Sequence, residues 1–90
     1  MNEQDPPKIT FPCHDYPIKI MGQASAAYRE AVLSIIQKHA PGFNLEKVTV
    51  RDSRNGNYQS LTVFITATGV GQLTAIFEDL KKHPSTRMVL

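Results

Sequence analysis

The stretch from Val48 to Ala67 constrains this chain more than any other. Val48 and Val50 alternate with Thr49 and Arg51, and Leu61, Val63, Ile65 and Ala67 alternate with Ser60, Thr62, Phe64 and Thr66. A period of two marks a strand whose successive side chains leave opposite faces, one of them buried. Between the two runs stands Arg54-Asn55-Gly56-Asn57, in which Asn-Gly supplies the positive φ angles of a tight hairpin turn. The two strands are therefore antiparallel neighbours in whatever sheet the chain builds.

The flanking sequence completes the set. Tyr16, Ile18 and Ile20 alternate with Pro17, Lys19 and Met21 before Gly22, which reads as a first strand ending in a turn. From Ser25, a helix N-cap, Tyr28, Ala31, Val32, Ile35, Ile36 and His39 recur at spacings of three and four and line one stripe of a helix. Ala40-Pro41-Gly42 stops it. After the hairpin, Thr66 or Thr68 can cap a second helix with Val70, Leu73, Ile76, Phe77 and Leu80 on its apolar stripe and Lys81, Lys82 and His83 at its negative end. Pro84 breaks that helix, and Thr86 to Leu90 is a short last strand with Met88 and Leu90 facing the core, or, with a register slip of one residue, Arg87 and Val89 in their place.

The order βαββαβ, with right-handed crossovers and a short hairpin, predicts an α+β ferredoxin-like two-layer sandwich: a four-stranded antiparallel sheet with two helices on one face. Residues 1–10, polar and carrying Pro6-Pro7, read as a disordered tail, and residues 11–90 as one ferredoxin-like domain. Ninety residues suffice for a single small core. One cysteine, Cys13, excludes an internal disulfide, and no export signal or membrane-spanning run is visible, so a reducing cytoplasm is the expected compartment and no membrane partner is expected. A net charge of +2 is too small to argue for nucleic acid by electrostatics alone.

Phe11-Pro12, Tyr16-Pro17-Ile18-Lys19-Ile20-Met21-Gly22, His39-Ala40-Pro41, Gly56-Asn57-Tyr58-Gln59-Ser60 and Arg87-Met88-Val89-Leu90 resemble the YbeD-like family of small bacterial proteins over nearly the whole chain beyond the tail. The resemblance implies a ferredoxin-like fold similar to the ACT regulatory domains of amino-acid metabolism, and it carries no activity with it. Two pieces of the ACT pattern are present, Gly22 after strand one and Gly42-Phe43-Asn44-Leu45 before strand two. The loop after strand one reads Gly22-Gln23-Ala24-Ser25, where ligand-binding ACT domains carry Pro-Gly after a polar residue.

Nothing in the sequence asks for catalysis or a cofactor. Cys13-His14-Asp15 holds the residue types of a catalytic triad, but consecutive residues of an extended segment project apart, whereas such triads converge in space. The set Cys13, His14, His39 and His83 has no metal-binding spacing, and His39 and His83 sit at helix ends, where terminal carbonyls are the expected partners. Gly69-Val70-Gly71 lacks the remainder of a phosphate loop.

The sheet face left without helices is the better candidate. Alternation places Lys19, Met21, Thr49, Arg51, Tyr58, Thr62, Phe64, Arg87 and Val89 on it, and Lys19, Met21, Arg51, Tyr58, Phe64 and Arg87 are its candidate binding residues. The expected function is a non-enzymatic interaction or regulatory module that binds a protein partner, or a second copy of itself, through this face. The alternatives are an ACT-like sensor with a small-molecule ligand at Gly22, Gln23 and Asn44, and a weak binder of single-stranded RNA.

Overall fold

The computed structural model describes residues 10–90. The expected tail, apart from Thr10, lies outside the described residues. The elements run β1 (Cys13–Gln23), α1 (Ala26–His39), a 3-10 turn (Leu45–Lys47), β2 (Thr49–Asp52), β3 (Tyr58–Ala67), α2 (Val70–Lys82) and β4 (Thr86–Val89). The sheet order is β2-β3-β1-β4 and every neighbouring pair is antiparallel, so each helix connects two parallel strands across one intervening strand. The ferredoxin-like arrangement is the one read from the sequence.

β1 is longer than the Tyr16–Met21 alternation predicts. It begins with a bulge between Cys13 and Tyr16, where Asp15 takes φ 54° and its carboxylate accepts from Lys47 Nζ at 3.2 Å. Pro17 then lies inside a central strand, ordinarily a poor place for a residue without an N–H. The register removes the conflict. Lys19 N donates to Leu90 O and Gln23 N donates to Ser85 O, so the odd-numbered amides of β1 point towards β4, and Pro17 lies three residues beyond Ile20, the partner of the last β4 residue Val89.

The helix-side row of the sheet is Ile18, Ile20, Leu61, Val63, Ile65 and Ala67, all buried. It meets Tyr28, Val32 and Ile36 of α1 and Leu73, Ile76 and Leu80 of α2, the stripes that the three-and-four spacing predicts. Each large side chain buried in this way contributes about 1.5–3 kcal/mol. Ser25 caps α1 as expected, its Oγ accepting from Tyr28 N at 3.0 Å.

Several expectations are corrected. Val48 is half-buried at the end of the 3-10 turn and lies outside β2. Val50 pairs with Leu61 on the helix side but is 44% exposed, because β2 is a four-residue edge with no strand beyond it. Val70, in the first turn of α2, is 69% exposed and does not join the packed stripe. Neither Thr66 nor Thr68 caps α2; Gly69 occupies that position with no side-chain cap. In the hairpin only Gly56 has positive φ, with Gly56 N donating to Ser53 O in a turn through Arg54 and Asn55, so Asn55 does not adopt the left-handed conformation.

The largest correction is the register of β4. Ile20 pairs with Val89, Met21 with Met88, and a bulge follows that sets Gly22 opposite Thr86. Val89 therefore packs against the core, while Met88 and Leu90 stand on the open face, 49% and 66% exposed. The cause lies at the bulge, where Thr86 turns to the helix layer and its Oγ1 meets Tyr28 Oη at 2.7 Å. That contact fixes β4 one residue away from the alternation that Met88 and Leu90 suggest.

Candidate interaction face

The face of the sheet opposite the helices is built from four rows that cross the strands. Phe64 stands beside Pro17 at one end and Tyr58 beside Gln23 at the other. Between them run Thr49, Thr62, Lys19 and Leu90, and parallel to these Arg51, Ser60, Met21 and Met88. The face is thus divided lengthwise. Hydroxyls and Arg51 occupy β2 and β3, β1 carries both Lys19 and Met21, and Met88 and Leu90 stand towards β4 with Arg87 at the rim.

Of the residues expected to bind, the structure brings Lys19, Met21, Arg51, Tyr58 and Phe64 onto this one surface. Arg87 reaches its rim by a different route than simple alternation. It follows the Thr86 bulge, its Nη1 donates to Pro84 O, and its guanidinium carbon lies 5.9 Å from the centre of the Tyr58 ring. That distance is within reach of a cation–π contact. Val89 leaves the expected set, and Met88 and Leu90 enter it. The sequence signal for these two was present, since either register of a three-residue alternation was open, but only the Thr86–Tyr28 contact decides between them.

The residues expected of a ligand sensor are not brought together. Gly22 is buried beneath the ring of Tyr28. Gln23 Oε1 accepts from Ser85 Oγ at 3.2 Å, which ties the end of β1 to the loop before β4. Asn44 lies past the other end of α1, some 20 Å away along a helix of 14 residues, and its Oδ1 caps the 3-10 turn through Glu46 N.

A cleft of about 270 Å³ does open at the far end of the molecule, between the C-terminus of α1 and the N-terminus of α2, lined in part by His39, Phe43, Thr66 and Gln72. Its polar groups are engaged with one another. Gln72 Oε1 accepts from Thr68 N at 2.8 Å while its Nε2 donates to His39 O at 3.0 Å. His39, expected to meet terminal carbonyls, instead spans the two helices to Asp79 Oδ2 at 2.6 Å. That hydrogen bond, aided by the nearby charge of Lys38, holds the Asp79 carboxyl below its ordinary value against a smaller opposing effect of burial. His83 also departs from expectation: its Nδ1 accepts from Ser85 N and its ring stands edge-on to Tyr28.

The side chains of the Cys13-His14-Asp15 run take separate partners at the bulge, where Asp15 departs from extended geometry. His14 Nδ1 meets Thr66 Oγ1 at 3.3 Å, Asp15 pairs with Lys47, and Cys13 is half-buried against the core. Among the described residues no three His, Cys, Asp or Glu side chains are grouped to hold a metal ion, and no helix is long and apolar enough to cross a membrane.

Residues 6–90 match the family described as "Protein of unknown function (DUF493)". A UPF0250 protein of Ectopseudomonas mendocina is 47% identical over 89 residues, which is 99% of this chain and 97% of the relative. Another, from Pseudomonas aeruginosa, is 49% identical over 85 residues, 94% of this chain and 91% of its own. Among solved structures, protein HP0495 from H. pylori superposes with a TM-score of 0.79 at 15% identity, covering 98% of this chain and 91% of the other. The ACT domain from GTP pyrophosphokinase of Chlorobium tepidum gives 0.64 at 16% identity, covering 82% and 91%. At such identities these two likenesses speak for the fold alone.

Proposed function

The chain belongs to the DUF493 family, together with the UPF0250 proteins, and from that premise we propose that it is a non-enzymatic interaction module that binds a protein partner across the open face of its sheet. The observation that carries this reading is the placement of Met21, Tyr58, Phe64, Met88 and Leu90 on one face of the sheet that no other element of the described residues covers. A patch of this kind, rimmed by polar and charged groups, is characteristic of a contact surface. The helix layer gives α1 and α2 their apolar burial and, among the described residues, no element covers the opposite face, so a partner laid there buries side chains that these elements do not.

The test is a triple variant, Tyr58→Ser, Phe64→Ser and Arg87→Ser, used as bait in lysate beside the unchanged protein. None of the three belongs to the buried core. The fold, followed by amide NMR, is expected to persist while the captured proteins are lost. Recovery of the same proteins by the variant contradicts the reading.

A further inference from the structure

We propose, resting on the reading of the open face as a docking surface, that the segment it receives is acidic and amphipathic, with carboxylates over the β2 side and apolar side chains over the β4 side. The first ground is the sign of the charge. The face and its rim carry Lys19, Arg51 and Arg87. Among the described residues no carboxylate side chain holds one of its cross-strand positions, although Asp52 borders its end beside Met21 and Arg51. Asp15, at the start of β1, is paired with Lys47. Asp52 pairs with Gln59 on the helix-side row and accepts from its Nε2. Glu30 belongs to α1, Glu46 to the 3-10 turn, and Glu78 and Asp79 to α2.

The second ground is the donor set around the two central cations. Lys19, Arg51, Thr49, Ser60 and Thr62 line a groove of about 330 Å³. In the register Thr62 lies between Thr49 and Lys19, and Ser60 between Arg51 and Met21, which sets hydroxyl donors beside each charge. Among the described residues, none of these five side chains takes part in a hydrogen bond or ion pair with another side chain. Two cations flanked by hydroxyls suit a carboxylate, which accepts several donors at once. Met21, Met88 and Leu90 adjoin them towards β4, where methionine adapts to an apolar partner of irregular shape.

The same features disfavour the other occupants. A second copy docked face to face about a two-fold axis sets Lys19 and Arg51 against the same cations, with no carboxylate at a cross-strand position of the face among the described residues. Single-stranded RNA requires neighbouring aromatic platforms. Tyr58 and Phe64 are six residues apart on one strand, roughly 20 Å, with Ser60 and Thr62 between them.

The proposal is tested by titrating isotope-labelled protein with four probes and following the amide signals of β1 and β3. Three are peptides of about ten residues, long enough to span the strands, alternating leucine with glutamate, with glutamine or with lysine. The fourth is a uridylate oligomer. The glutamate peptide is expected to shift Lys19, Met21, Ser60 and Thr62 and to bind about tenfold more tightly than the glutamine peptide, a preference that Lys19→Gln with Arg51→Gln removes. Equal binding of the glutamate and glutamine peptides, or tighter binding of the lysine peptide or of uridylate, overturns the proposal. If no peptide binds while the triple variant still loses its lysate partners, the acidic segment is wrong and the docking face stands. If neither result appears, both fall.

Discussion

The ring of Tyr28 occupies the space in which Gly22 would carry a side chain: a Cβ built there falls 2.3 Å from Tyr28 Cε2. Above that ring Tyr28 Oη meets Thr86 Oγ1 at 2.7 Å, so one residue of α1 closes over the end of β1 and sets the start of β4. Gly22→Ala is accordingly expected to destabilise the protein by about 1–3 kcal/mol, as overpacking does in a core. Tyr28→Phe keeps the ring and removes the hydroxyl, with an expected loss of about 0.5–1.5 kcal/mol. Urea unfolding of the two variants checks both.

The register of β4 is open to a direct comparison. Val89 packs on the core opposite Ile20, and its neighbour Met88 stands on the open face. Val89→Asp is therefore expected to abolish cooperative folding or cost about 3 kcal/mol or more, since it places a charge against apolar side chains. Met88→Asp should change stability by no more than about 0.5 kcal/mol. Thermal melts with the opposite ranking would restore the register in which Met88 faces inwards.

The link between the helices predicts a response to acid. Asp79 is held below its ordinary value by the His39 hydrogen bond first and by neighbouring cations after it. An acid depressed in the folded state contributes stability that is present above the unfolded-state value, about 3.9 for Asp, and is lost as pH falls through the lower folded-state value. The acid limb of stability against pH should consequently be shallower in Asp79→Asn than in the unchanged protein. Denaturant midpoints measured from neutral pH downwards decide this.

The N-terminus of α2 leaves room for improvement. Gly69 has extended backbone angles, φ 171° and ψ 168°, that any residue adopts, and a Cβ there meets nothing within 4 Å. Gly69→Asp adds the cap that Thr66 and Thr68 do not provide and lowers the freedom of the unfolded chain, for an expected gain of about 0.5–1 kcal/mol. Urea midpoints above those of the unchanged protein are the expected result.

The parts legible in the sequence were those fixed by local period. The alternation of Leu61, Val63, Ile65 and Ala67 names the buried row, and the complementary row brought Lys19, Met21, Arg51, Tyr58 and Phe64 to one face. Non-local contacts decided the rest. Nothing near Thr86 announces that its hydroxyl will pair with Tyr28, 58 positions away, yet that contact exchanges Val89 for Met88 and Leu90 on the open face. His39 likewise reaches Asp79, 40 positions on, which a reading of α1 by itself could not foresee. Val50 fits a core position by period, and only the sheet order reveals that its strand is an edge.

The most direct measurement places a photoreactive residue at Phe64, on the open face, and separately at Val70, an apolar residue 69% exposed on the helix layer, and compares the adducts formed in cells. The two positions share apolar character and differ in the face they occupy. Discrete protein adducts at position 64 with none at position 70 are the result predicted for a docking face. Equal labelling at both positions, or adducts at position 70 alone, contradicts it.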